Sequence, residues 1–325
     1  MLSRTAGELF WLGRYIERAD NVSRFVQAGQ RFDAMAGGTT HSNEWSAILI
    51  ASGCSETFGG KLLHAKAEEA IYHLVLDPAN PSSILSSFQY ARANARSQRG
   101  AITTDTWLAA NESWAQIQRM RPKDLSDSNL MGTLEKIRGF AAQFRGAVSS
   151  TMLRDERLSF IELGRFVERA DATARLLDVK YHVLLPDAES VGQAADKLQW
   201  HNLLHAAGAR AAYRWVYPEA VDHRLVIDFL LLNRKTPRSY SFALEQSLYE
   251  LEVLHARGSE RQESLMEAHD IHSALQKTDV AKIIDFGLHE YLTSLIIRSN
   301  ALASKIASDF GFGPTQESMA QSQDQ

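Results

Sequence analysis

The sequence predicts an all-α protein, a helical bundle built from two pseudo-repeats packed as one body. Three observations carry that expectation. A thirteen-residue stretch, Leu12 to Arg24, returns as Leu163 to Arg175 with eight identities at a constant offset of 151. Apolar residues recur at three- and four-residue steps through most of the 325 residues, as a 3.6-residue helical period requires. Prolines number only seven and mostly fall between periodic segments, whereas a β-rich chain of this length needs many more turn residues.

Taken in order, Ser3 or Thr5 offers a cap for a first helix, with Glu8 near its positive end. That helix runs to about Met35, and Gly37-Gly38-Thr39-Thr40 stops it. Trp45 to Ala51 and Leu62 to Leu76 read as helices, and Asp77 to Ser83 as a turn that starts the next one at Ile84. This helix carries Phe88, Ala91 and Ala95 on one face and Arg92, Arg96 and Arg99 on another. Thr103-Thr104-Asp105 caps a helix through Trp107 and Trp114, closed by Arg121 to Asp124. Leu130, Leu134, Ile137, Ala141, Phe144 and Val148 mark an amphipathic helix before the second motif copy, which Ser159 caps and Pro186 stops. Further helices are expected over Leu198 to Trp215, Val221 to Leu232, Phe242 to His255, Glu260 to Gln276 and Val280 to Phe310. Residues 311–325, rich in Gln and Ser, read as a disordered tail. Each half has the order motif helix, intervening helices, Arg-Ser (Arg96-Ser97, then Arg238-Ser239), helix. The halves, about 1–150 and 151–310, are expected to pack as one domain because no Pro-, Gly- or Ser-rich linker separates them.

Bulk composition narrows the function. A formal charge of −4 and a pI near 6.3 argue against nucleic acid as a partner, which calls for a basic surface excess. Cys54 is the single cysteine, so the chain has no internal disulfide or thiolate metal cluster, and it reads most simply as a small core residue in a reducing compartment. No apolar stretch approaches the roughly 20 residues that span a bilayer, and the amino terminus lacks a signal-peptide pattern. A soluble, cytoplasmic protein is the expectation.

In helical projection Leu12, Tyr15, Ala19, Val22 and Val26 form one stripe of the motif helix, and Arg14, Glu17, Arg18 and Asn21 lie nearly opposite. Arg14 can meet Glu17 at i,i+3 and Asp20 can meet Arg24 at i,i+4; Arg165 with Glu168 and Asp171 with Arg175 repeat both pairs. The plain alternative is a solvated, salt-bridged face. Against it, both copies use Arg at all three basic positions, as planar bidentate recognition demands, and neither Arg18 nor Arg169 has an acidic residue three or four positions away. The two motif helices are therefore expected to pack together, Arg18 reaching Glu168 and Arg169 reaching Glu17, with Gly13 and Gly164 allowing close approach. Arg92, Arg96 and Arg99 form a second candidate site, able to hold phosphate or carboxylate, with Arg238 in the corresponding place of the second half.

Recognised chemistry is sparse. His201 and His205 have a zinc-compatible spacing, but no Glu follows His201, and Glu252-Val253-Leu254-His255 is a lone Glu-x-x-His where a di-iron bundle needs two. No P-loop, dinucleotide fingerprint or nucleophile elbow occurs, so no metal or cofactor is implied.

The opening Met1 to Ala6, the run Leu9 to Ala19, Arg92 to Ser97, Gly164 to Ala170, and Phe229 to Leu232 leading to Pro237-Arg238-Ser239 together resemble the bacterial alpha-E family. The likeness covers nearly the whole chain. Glu162 departs from it, standing where the first copy has Trp11, and Gln98-Arg99-Gly100 is looser than the family pattern. The resemblance implies an all-helical protein whose genes neighbour those of a circularly permuted ATP-grasp protein, a transglutaminase-like peptidase and sometimes a proteasome-like protein. It implies an accessory or partner subunit of a system that forms or modifies peptide or amide bonds, binding a partner protein or an anionic substrate through Arg14, Arg18, Arg165, Arg169, Arg92, Arg96 and Arg238. The alternative is an enzyme of that system with Glu17 and Glu168 as paired acid and base.

Overall fold

The computed structural model describes residues 1–35, 44–59, 62–183, 194–256 and 262–313, and these form fourteen α-helices with no strand among them. In chain order they are α1 Ser3–Met35, α2 Glu44–Ala51, α3 Ala67–Val75, α4 Ile84–Ser97, α5 Thr104–Ile117, α6 Asp127–Thr151, α7 Glu156–Val183, α8 Ala194–Ala206, α9 Arg210–Val216, α10 His223–Ile227, α11 Tyr240–His255, α12 Glu263–Gln276, α13 Val280–Phe286 and α14 Leu288–Asp309. No described helix is long and apolar enough to cross a membrane. The Gly37 to Thr40 stop, Pro186 and the tail from 314 onward lie outside the described residues.

The two motif helices, α1 and α7, are the axis of the fold. They pack on each other; α4, α6, α8 and α2 surround α1, while α11, α14 and α2 surround α7. Every residue from Leu9 to Ser23 is buried, and none from Glu156 to Lys180 is exposed. The solvated-face alternative therefore fails, because the charged side of each motif helix faces protein. The apolar stripes form the core with Phe88 of α4, Phe144 of α6 and Leu244 of α11.

Several local expectations need correction. Because α1 starts at Ser3 and α7 at Glu156, Ser3, Thr5 and Ser159 lie within helices and do not cap them. The start of α7 is held instead by Asp155, whose Oδ1 accepts the Arg157 amide at 3.0 Å. Leu62 to Leu76 divides into a 3-10 turn, Leu62–His64, and α3. Gly208 (φ +67°) separates α8 from α9, and Gly287 (φ +105°) separates α13 from α14; both take up left-handed backbone that a side chain resists. Asp228–Leu232 continues α10 as a π-helical turn. Phe312, assigned to the tail, is buried against Phe10, with ring centroids 5.4 Å apart.

The equivalence drawn between Arg96-Ser97 and Arg238-Ser239 is also revised. Arg96-Ser97 ends α4, whereas Ser239 is the N-cap of α11, its hydroxyl accepting the Phe242 amide. The matching cap is Ser83 of α4, which accepts the Ser86 amide at 3.1 Å. Pro81-Ser82-Ser83 thus corresponds to Pro237-Arg238-Ser239, and Arg238 stands where the first half has Ser82.

Candidate functional site

The site begins where the two helices touch. They run in the same direction, Gly13 lying against Ile161 and Arg165, and Glu17 and Arg18 against Arg169 and Glu168. A Cβ on Gly13 would sit 2.0 Å from the Ile161 carbonyl oxygen, and one on Gly164 would sit 2.0 Å from that of Phe10. Each oxygen belongs to the residue three before the partner glycine, so the contact is reciprocal. Only glycine admits this approach, which brings the next turn of each helix within reach of the other.

One turn on, the charges cross. Arg18 donates Nε to Glu168 Oε1 at 2.7 Å and Nη2 to Oε2 at 3.2 Å. Arg169 does the same to Glu17, Nε to Oε1 at 2.7 Å and Nη2 to Oε2 at 2.9 Å. These are the bidentate exchanges expected from the two arginines that lacked a local partner. Asp20 with Arg24 and Asp171 with Arg175 pair within their helices, at 3.2 and 2.7 Å.

The expected local pairs Arg14–Glu17 and Arg165–Glu168 do not form. Arg14 crosses to Glu168 Oε2 at 2.7 Å, while Arg165 pairs with Glu162. The departure at Trp11 and Glu162 explains the difference. The Arg14 guanidinium lies 4.7 Å from the Trp11 ring centroid, a cation–π contact that leaves its Nε free to cross. In the second copy Glu162 offers a carboxylate at the same position and captures Arg165. Glu17, deprived of that fourth-residue arginine, is served by Arg145 from α6 at 3.3 Å and by Arg238 at 3.1 Å. Arg238 also reaches Asp20, and donates to Asn21 Oδ1 at 3.0 Å.

Burial pushes both motif carboxyls up, but the arginines outweigh it. Arg169 and Arg238 bring Glu17 down to about 2, and Arg18 and Arg14 bring Glu168 down to about 2. Asp20 is held far below the usual carboxylate range, as Arg24, Arg238 and Arg145 overcome its burial. At Glu162–Arg165 burial prevails, raising the glutamate and lowering the arginine. A carboxylate so strongly ionised is a poor acid or base near neutral pH, where proton transfer is best served by a group titrating close to the working pH. Geometry and charge together place Glu17 and Glu168 as anions held between arginines.

Arg92 and Arg96 stay apart from this cluster. Arg92 donates Nε to Asn111 Oδ1 at 2.9 Å, Arg96 is exposed, and Arg99 lies 5.0 Å from the Trp107 ring centroid. His205 meets Arg31 at 3.0 Å. Arg145 gave no sign of its role in the sequence, since it sits on the polar side of an ordinary amphipathic helix. A cavity of about 290 Å³ lies beside the clasp, with Arg14, Arg18, Glu168, Asp171, Arg175 and Ser82 in its wall. A second, of about 280 Å³, is bordered by Tyr181 stacked on His289 at 3.8 Å, with Asp178 2.7 Å from the His289 Nδ1. Neither was foreseen, because their walls combine distant segments.

Fold and site together define an all-helical protein whose core is a reciprocal Glu-Arg clasp. The chain belongs to the Alpha-E family, described as a predicted alpha-helical domain with a conserved ER motif, which it matches over residues 1–310. The dipeptides Glu17-Arg18 and Glu168-Arg169 fit that description. Similar proteins include uncharacterised proteins of Mycobacterium bovis and of two strains of Mycobacterium tuberculosis, each 22% identical over 325 residues. The alignment takes in 94% of this chain, which spans only 36% of the length of those relatives. No solved structure matches the chain.

Proposed function

We propose that the chain is an accessory, binding subunit of an ATP-grasp-associated system that forms or modifies peptide or amide bonds in the cytoplasm. The observation that carries this reading is the saturation of Glu17 and Glu168 by arginine. With both motif glutamates committed to the clasp, the conserved-motif region supplies architecture and leaves ligand or partner binding to the surfaces around it. The relatives support a module that works beside other protein, since the matched region is 36% of their length. The identity of the partner, a circularly permuted ATP-grasp protein with a transglutaminase-like protein second, rests on the family resemblance.

The test is a pull-down of purified ATP-grasp and transglutaminase-like proteins by this chain, followed by ATP hydrolysis assays with and without it. Binding with altered hydrolysis is expected. Absence of both overturns the reading, and turnover by the isolated chain that Glu17→Gln abolishes transfers the role to an enzyme.

A further inference from the structure

We infer that the cavity beside the clasp binds a small molecule with a carboxylate and a cationic side chain, a basic amino acid or a short peptide carrying one. Its cationic end takes the place that Arg238 fills in the other half of the molecule.

The argument starts from the two carboxylate pairs. Glu17 and Asp20 share Arg238, which inserts from the turn before α11. Glu168 and Asp171 stand in the corresponding positions of the second copy, where the matching turn before α4 brings Ser82. A serine cannot reach as an arginine does, and Ser82 lines the cavity together with Glu168 and Asp171. Asp171 shows the consequence. Among the described residues its Oδ2 accepts only from Arg175 Nε, at 2.7 Å, whereas the same oxygen of Asp20 accepts from both Arg24 and Arg238. A guanidinium or ammonium in the cavity supplies the second donor that Arg238 gives to Asp20.

The opposite wall asks for an anion. Arg14 commits only Nε to Glu168, and Arg175 commits only Nε to Asp171. Among the described residues the Nη atoms of these two arginines make no hydrogen bond, so two guanidinium ends remain for a carboxylate, the bidentate geometry guanidinium favours. Gly53 (φ +70°) lets the turn after α2 pass close to Arg175 Nη1. The mixed lining separates such a ligand from a plain anion. Three carboxylates, Glu56 included, line the cavity beside the three arginines, so a dianion meets repulsion that a ligand with a cationic end does not. Val22, Phe25 and Ile296 supply an apolar strip for the carbon chain between the two ends. About 290 Å³ accommodates roughly ten water-sized units, enough for one basic amino acid or a dipeptide.

The inference rests on the reading of this chain as a binding body but needs no partner, so the test uses the isolated chain. Isothermal titration compares L-arginine and L-lysine with L-citrulline, which lacks the side-chain charge, with agmatine, which lacks the carboxylate, and with inorganic phosphate. Saturable binding of arginine or lysine is expected, with citrulline and agmatine each weaker by about tenfold to a hundredfold, the effect of losing one charge-assisted contact. Ser82→Arg supplies the missing guanidinium from within. It is expected to abolish binding and to raise the melting temperature. Ile297→Trp, at the exposed rim, narrows the entrance and also lowers affinity. No binding of either basic amino acid, equal binding of citrulline, binding of phosphate alone, or unchanged affinity in both variants overturns the site. Because the ATP-grasp pull-down does not enter this experiment, a failure there and a failure here are read separately.

Discussion

Replacing Glu17 by Gln tests the clasp at a fully buried anion. The side chain has no exposed surface and accepts from three arginines, Arg169, Arg145 and Arg238, within 3.3 Å. Its carboxyl is lowered from 4.5 to about 2, and at 1.36 kcal/mol per pH unit that depression corresponds to about 3 kcal/mol of folding stability. Breaking a buried ion pair by removing one partner leads independently to about 3 to 5 kcal/mol. Since the folded-state value lies below the unfolded one, this contribution is complete above about pH 5 and is lost as pH falls toward 2. Urea denaturation followed by circular dichroism at low ionic strength measures it. The wild type should exceed Glu17→Gln by about 3 kcal/mol at pH 7, and the gap should shrink to about 1 kcal/mol at pH 3, where wild-type Glu17 is already protonated in the unfolded chain. A gap under about 1 kcal/mol at pH 7, or one that persists unchanged to pH 2, refutes the account of Glu17 as a structural anion.

Gly13→Ala and Gly164→Ala each drive a methyl group against a backbone oxygen that cannot move independently, and should lose about 1 to 3 kcal/mol or more in the same urea assay. Losses under about 0.5 kcal/mol would mean that the helices are not held at this distance. Arg238→Ala should cost about 3 kcal/mol or more, whereas Arg96→Ala, at an exposed position, should stay within about 0.5 kcal/mol; equal effects would contradict the placement of Arg238 in the clasp. Burial pushes the Cys54 thiol up and closes it to solvent, so an aromatic disulfide reagent at mildly alkaline pH should label it only as urea unfolds the chain. Immediate labelling of the native protein would show that the turn after α2 is open.

The helical class and the crossed Glu-Arg pairs could be read from the chain because both follow from counting. Arg18 and Arg169 had no local acid, so their partners had to be distant, and a glycine at the same place in each copy marked the contact. Arg14 and Arg165 misled for the opposite reason. Each had an acid at i,i+3, and the rule for such pairs assumes a helix face in water. On a helix buried all round, an arginine answers to whichever carboxylate the neighbouring helix presents, and Trp11 or Glu162 decides which one that is. Arg145 and Arg238 were hidden more deeply, since their part in the clasp depends on how α6 and the turn before α11 pack. The correspondence of Ser82 with Arg238 becomes visible only once Ser83 and Ser239 are seen to cap equivalent helices. Helix boundaries at Gly208 and Gly287 were missed because apolar periodicity runs through both glycines unbroken.

The pairs that cross between the two motif helices join residues 150 to 154 positions apart. During synthesis α1 therefore leaves the ribosome well ahead of the helix that neutralises it. At ordinary elongation rates the delay is on the order of ten seconds, a long time for a segment with buried-type charges and a long apolar stripe. Until α7 arrives, Glu17, Arg14 and Arg18 have only water and nascent neighbours for company, and the core around α1 has no lid. The crossed pairs thus tie the locking of the central helix to the synthesis of the second motif helix.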